Sequence, residues 1–186
     1  MIVNQLAVER AADALCVGGV IAYPTEGVWG LGADPMDRAA VRRVGELKRR
    51  PPAHGYILVA ASEDQLDPYL DGVSEDMRAK MRLSWPGPVT WVVPASRALP
   101  RWVNGRFETV AVRVSAHPVV SALCRTFDGP IISTSANPHG MAPARSRLRV
   151  QVYFGAQLDR VVPGELGGSL GPTTIRDART GAVLRG

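Results

Sequence analysis

An α/β domain built on a mixed sheet is the fold this chain predicts, and three observations predict it. Short runs rich in β-branched residues are interleaved with segments whose apolar residues recur at helical spacing. The interleaving follows no strict repeat and shows no internal duplication, which favours mixed over all-parallel pairing. Breakers mark nearly every junction, with 15 prolines and 19 glycines in 186 residues, yet no low-complexity linker divides the chain. With 46% hydrophobic residues, the chain can bury one sizeable core, and disorder is excluded.

The elements follow in order. Apolar residues from Leu6 to Val17 predict a helix that Gly18-Gly19 ends. Val20 to Tyr23 reads as a buried strand stopped by Pro24. Asp37 caps a helix whose apolar stripe is Ala40, Val41, Val44 and Leu47, with Pro51-Pro52 as its stop. Tyr56 to Ala61 is a strand, after which Ser62 and Gln65 suggest a capping box and a helix. Ser74, Glu75 and Asp76 start another helix, reaching about Leu83. The rigid turn Trp85-Pro86-Gly87-Pro88 precedes strands at Val89–Val93 and Val110–Val114. His117-Pro118 opens a helix to about Cys124, and Ile131–Ser133 forms the next strand. A loop rich in Pro, Ala and Arg spans Asn137 to Arg147, and residues 148–158 predict a last helix. Thr173–Asp177 and Ala182–Leu184 predict a closing hairpin.

The net charge of +5 predicts a surface that favours anions, carried almost wholly by arginine, since Lys48 and Lys80 are the only lysines. Cys16 and Cys124 lie in apolar helical patterns and read as reduced, buried thiols of a cytosolic protein. No Cys/His spacing suggests a structural metal. The N-terminus runs into an amphipathic helix instead of a secretory leader, and no apolar run is long enough for a bilayer span.

Five segments carry chemistry-bearing residues. Tyr23-Pro24-Thr25-Glu26-Gly27-Val28-Trp29-Gly30-Leu31-Gly32 reads as a strand running into a Gly-rich loop. The glycines either serve a turn at positive φ or let a ligand approach beside Thr25. Lys48-Arg49-Arg50-Pro51 closes a helix. It is either a solvated cluster complementing the helix dipole or a pair of cations aimed at a polyphosphate. In the strand Val110–Val114, Arg113 shares a face with Ala111. A solvated face makes it ordinary, whereas a cleft face makes it a clamp for carboxylate or phosphate. Ser133-Thr134-Ser135-Ala136-Asn137 follows a buried strand and suits either local turn bonding or phosphate recognition. The segment with Arg145, Arg147 and Arg149 is either a solvated loop or a lid that closes over an anion.

Taken together, Tyr23-Pro24-Thr25-Glu26, Lys48-x-Arg50-Pro51, Trp85-Pro86-Gly87-Pro88-Val89-Thr90, Thr109 to Arg113 and Ser135-Ala136-Asn137 resemble the YrdC/TsaC family, the threonylcarbamoyl-AMP synthases, over residues 4–186. That resemblance implies a single twisted α/β domain with a positively charged concave cleft. It implies a nucleotidyltransferase that joins L-threonine, bicarbonate and ATP into threonylcarbamoyl-AMP, releasing pyrophosphate, for tRNA threonylcarbamoyladenosine modification. ATP enters as a substrate with Mg2+, without a tightly bound cofactor or a metal held by protein side chains. Residue by residue, the resemblance places Thr25, Arg113, Ser135 and Thr173 around threonine. It places Lys48, Arg50, Thr109, Asn137, Arg145 and Arg185 around ATP, with Lys48 and Arg50 as the catalytic pair. Implied partners are tRNA or double-stranded RNA on the basic surface and the proteins of a downstream transfer complex. The chain departs from the commoner pattern at His54-Gly55-Tyr56, where many relatives carry Asn-Pro-Leu, and at Pro172-Thr173-Thr174. Two rival readings use the same residues. One is a non-catalytic RNA-binding module; the other is a domain that handles a carbamoyl-adenylate made elsewhere.

Overall fold

A computed structural model describes residues 3–50, 54–169 and 171–185. Among these, nine strands form one mixed sheet in the order β7-β1-β2-β6-β3-β5-β4-β8-β9. The strands are β1 (Ile21–Pro24), β2 (Trp29–Ala33), β3 (Ile57–Ala60), β4 (Val89–Pro94), β5 (Thr109–Val114), β6 (Ile131–Ser135), β7 (Arg160–Val161), β8 (Thr174–Asp177) and β9 (Val183–Arg185). The helices are α1 (Gln5–Cys16), α2 (Arg38–Leu47), α3 (Glu75–Arg82), the single turn α4 (Arg101–Asn104), α5 (Pro118–Phe127) and α6 (Arg147–Phe154). β3 runs parallel to β5 but antiparallel to β6, which makes the centre of the sheet mixed.

Strand alternation sorts the helices into two layers. Leu31, Leu58, Val112 and Ile132 point to the face covered by α2, by Met81 of α3 and by Val150 and Phe154 of α6. Ile21, Tyr23, Val59 and Ile131 point the other way and pack with Val8 and Leu15 of α1 and Val120 and Leu123 of α5. α1 and α5 reach only part of this second face. Beyond them the sheet is open, and the candidate site lies there.

Local chemistry fixes the ends of the elements. Asn4, Asp37, Ser74 and Ser146 each accept a backbone N–H at the start of α1, α2, α3 and α6. The predicted stop of α2 at Pro51-Pro52 lies outside the described residues, and the helix already ends at Leu47.

Four sequence expectations are corrected. Cys16, expected to be a buried thiol, is exposed, whereas Cys124 is buried. Trp29–Ala33 is a strand and not a loop, pairing antiparallel with both β1 and β6. In place of the helix expected after Ser62 and Gln65 there is a three-residue 3-10 turn, Asp67–Tyr69. Gln65 instead accepts the Ala61 N–H at 2.9 Å and donates to the Cys124 carbonyl at 2.8 Å, so its amide ties the end of β3 to α5. β6 continues through Ser135, so the hydroxyls read as a post-strand turn belong to the strand itself.

Candidate active site

The open part of the sheet face forms a cleft of about 470 Å³. Registered neighbours supply its floor: Gly30 beside Ser135, Ser133 beside Ile57, and Ile57 beside Ala111. Val92 and Ile175 extend it across β4 and β8, and Phe107 and Leu184 form an apolar rim. Arg50, Arg113 and Arg185 bring guanidinium groups to it, and no Asp or Glu is among its described lining residues. The cleft therefore favours an anionic ligand with one apolar part.

Arg113 settles the question its strand left open. Val110, Val112 and Val114 face the covered core, and Arg113 faces the cleft with only 4% of its surface exposed. Its Nη1 donates to Thr173 Oγ1 at 3.0 Å, and its Nη2 lies 3.4 Å from Glu26 Oε2. Glu26 in turn accepts the Ser115 hydroxyl at 2.6 Å. Ser115 Oγ accepts the His117 N–H at 3.1 Å, and His117 Nε2 lies 3.0 Å from the Glu165 carbonyl. Because a carbonyl can only accept, Nε2 carries the proton, and the buried Nδ1 has no partner among the described residues. Burial pulls the His117 pKa below its ordinary value, with the Glu165 carbonyl opposing that shift. Arg113 Nε is likewise buried, with no acceptor among the described residues.

Thr173 is the junction of the far wall. Its hydroxyl lies 3.2 Å from that of Thr90, and its carbonyl accepts Arg185 Nη2 at 3.2 Å. Arg50 reaches Thr134 Oγ1 at 3.3 Å, and its guanidinium stacks 5.2 Å from the Tyr56 ring centre. Burial lowers the pKa of both Arg50 and Arg185 from the usual arginine value.

Of the residues singled out from sequence, Thr25, Arg50, Thr109, Arg113, Ser135, Thr173 and Arg185 line the cleft together. Lys48 and Asn137 stand just behind it. Lys48 Nζ donates to the Ser135 carbonyl and, at 2.9 and 3.4 Å, to the carbonyl and Oδ1 of Asn137. This ammonium caps the turn leaving β6, and it is buried to 5% exposure. Burial, then the neighbouring charge of Arg50, bring its pKa down to about 7. Arg145 lies outside the cleft lining. Arg147 and Arg149 belong to α6, and the segment before them is anchored by buried Ala144, which accepts from Trp29 N at 2.8 Å and donates to the Ala136 carbonyl at 3.0 Å.

The Gly-rich segment has a reason that neither of its sequence readings supplied. Gly27, Gly30 and Gly32 all lack a positive φ. A Cβ on Gly27 would stand 1.9 Å from the Gly171 carbonyl oxygen, and one on Gly32 would stand 2.7 Å from the Tyr23 ring. These glycines admit the segment before β8 on one side and the Tyr23 ring on the other. Ser115 and His117 escaped the sequence reading as site residues, and Tyr23, Glu26 and Ser133 lay in segments it singled out without the pairings they make here. The one available signal was the run of small and polar residues on strands otherwise filled with Val and Ile.

The family model described as "Telomere recombination" (Sua5_yciO_yrdC) matches residues 13–186. A threonylcarbamoyl-AMP synthase of Halorhodospira halophila is 54% identical over 178 residues, covering 96% of this chain and 93% of its own. One from Xanthomonas axonopodis pv. citri is 51% identical over 98% of both chains. The structure of P. abyssi Sua5 complexed with L-threonine superposes with a TM-score of 0.91 at 32% identity; it covers all of this chain, which spans 55% of that longer protein.

Proposed function

The chain belongs to the Sua5–YciO–YrdC family, and from that premise we propose that it is a nucleotidyltransferase that makes threonylcarbamoyl-AMP from L-threonine, bicarbonate and ATP. The observation that carries the reading is an open cleft in which Arg50, Arg113 and Arg185 surround the hydroxyls of Thr25, Ser135 and Thr173 with no carboxylate among the described lining residues. The ligands of such a reaction together bear a triphosphate and two carboxylates, and convergent guanidinium groups are their natural counterpart.

In this reading the threonine carboxylate meets the guanidinium of Arg113, which lines the cleft. Thr25, Ser135 and Thr173 surround the rest of the amino acid. The amine adds to bicarbonate with loss of water to give a carbamate. A carbamate oxygen then attacks the α-phosphorus of ATP, and pyrophosphate leaves. Arg50, Thr109, Asn137, Arg145 and Arg185 hold the nucleotide in line, and placement plus charge neutralisation supplies most of the rate. Lys48 contributes a nearby charge and fixes the Ser135–Asn137 turn, since its bonds within the fold run to that turn. The magnesium of this reading is bound by the phosphates of the nucleotide substrate.

The mixed anhydride product is suited to hand its threonylcarbamoyl group to an RNA adenosine amine through a separate transfer complex. A net charge of +5 is compatible with a tRNA partner. We place the protein in the cytoplasm, where these substrates meet; no described helix is long and apolar enough to cross a membrane.

The test is purified protein incubated with ATP, labelled bicarbonate and threonine. Threonine-dependent pyrophosphate release with label recovered in an adenylate is expected. Salt-sensitive RNA binding with no pyrophosphate release would overturn the reading in favour of a binding module.

A further inference from the structure

Tyr23 lies beneath the cleft floor, fully buried, with its ring crossing β2 where Gly30 and Gly32 leave room. Its hydroxyl donates to Ser133 Oγ at 2.9 Å. Burial raises the phenol pKa well above its usual value, so the group remains O–H throughout the working pH range. A buried phenol proton without an acceptor would incur the full desolvation penalty, and Ser133 Oγ is its acceptor among the described residues. The direction of this bond decides what Ser133 does. With a lone pair of its oxygen taken from below, Ser133 must direct its own proton elsewhere. No described protein group accepts that proton, and Ser133, buried to 6% exposure, has its remaining surface in the cleft. Ala111, two strands away at the same level, keeps the space above it open.

We propose that Ser133, oriented by the Tyr23 hydroxyl beneath it, donates a hydrogen bond to an oxygen of the amino-acid substrate. Ser133 is then a specificity-determining residue, and Tyr23 is a positioning residue that never touches substrate. The inference rests on the amino-acid site proposed above. The acceptor is an oxygen of the amino acid's carboxylate or of its β-hydroxyl, chemistries that share the same donor requirement. A buried donor left unpaired by the wrong ligand discriminates strongly, which gives this hydroxyl its weight.

The experiment compares Ser133→Ala, Tyr23→Phe and the double variant by pyrophosphate release, with threonine, valine, bicarbonate and ATP each varied. Wild-type turnover with threonine is the control, and its absence would count against the function itself and not against this inference. Ser133→Ala is expected to raise the threonine KM about tenfold or more, leaving the ATP and bicarbonate KM values within about twofold. Tyr23→Phe is expected to raise the same KM by a smaller factor, because Ser133 can then turn its proton away. The double variant should equal Ser133→Ala alone, since the two hydroxyls act in series. Loss of threonine-over-valine preference in Ser133→Ala assigns the bond to the β-hydroxyl, and an equal KM rise for both amino acids assigns it to the carboxylate. A threonine KM unchanged in Ser133→Ala, a change confined to ATP or bicarbonate, or additive effects in the double variant would overturn the proposal. Lowered melting temperature in Tyr23→Phe with an unchanged KM would leave Tyr23 a core residue only and would also overturn it.

Discussion

One face of the sheet serves two purposes at its two ends. Under α1 and α5 it presents Ile21, Val59 and Ile131 to a packed apolar layer. A few residues further along the same strands it presents Ile57, Ser133, Ser135 and Arg113 to a solvent-open cleft. Backbone and pairing are continuous across the boundary, so the difference lies in side chains and in what roofs them. The roofed end gains stability from apolar burial. The open end keeps charged and hydroxyl groups that no protein layer could cover without leaving them unpaired. The two ends should respond to substitution in opposite ways. Roof variants should lose stability and keep their affinity for ligands, and floor variants should lose turnover and keep their fold.

Leu123→Ala tests the roof and should give the largest change. Leu123 is fully buried between α1, α5 and the sheet. Its truncation leaves a cavity at a cost of about 2–5 kcal/mol in unfolding free energy. Denaturant melts with an unchanged slope should show this loss. The threonine and ATP KM values should stay within about twofold below the transition. A large KM change in a still-folded variant would mean that the roof shapes the cleft.

Arg50→Ala tests the floor. Arg50 sits at the cleft edge, stacked on Tyr56 and bonded to Thr134. Removing one guanidinium from a phosphate site should cost about 2–4 kcal/mol of transition-state stabilisation, read as a drop in kcat/KM for ATP. Among the described residues its guanidinium makes one hydrogen bond, the long contact to Thr134, so the unfolding free energy should move by about 1 kcal/mol or less. A collapse of the fold with this substitution would make Arg50 a structural cation and break the contrast with Leu123.

The roofed end was far more legible in the sequence than the open one, and the reason is physical. Amphipathic spacing and the Pro118 start are local signals that located α1 and α5 of the roof, just as caps at Asp37 and Ser74 located α2 and α3 on the other face. The cleft depends on contacts between distant segments. Alternation placed Arg113 and Ala111 on one face, but only the reach of α1 and α5 decides that this face is open there. Glu26 and Ser115 are 89 positions apart, and Tyr23 and Ser133 are 110 apart. Two local signals misled for the same reason. Gly30 and Gly32 imitate a loop because the ring they accommodate belongs to another strand. Gln65 imitates a capping residue while its amide is used between β3 and α5. Lys48 was readable as a cation near phosphate, but its burial against the carbonyls of residues 135 and 137 was not.

The smallest expected effect lies at the seam between the two ends, where His117 at the start of α5 meets the segment that leads to Thr173. Its ring donates to the Glu165 carbonyl and faces both Glu26 and Arg113. Burial holds its folded-state pKa below the ordinary value of 6.5, so on acidification the unfolded chain takes up this proton first. With more protons bound in the unfolded state, stability falls as pH drops through the window below 6.5, until the folded imidazole is also charged. A charged His117 would place a second cation beside Arg113, loosening the ion pair with Glu26 and with it the hold on residues 165–169, which bond to the carbonyls of Thr25 and Glu26. His117→Gln keeps a side-chain N–H for Glu165 and removes the titration. Its unfolding free energy should therefore decline less steeply than that of the wild type between pH 7 and pH 5, with the two curves parallel above about pH 7. Hydrogen exchange of the Gly167 and Ser169 amides should follow the same pattern, accelerating at low pH more in the wild type than in the variant once the intrinsic pH dependence is removed. Equal slopes in both proteins would show that His117 carries no part of the acid response and that the seam is held by the backbone bonds alone.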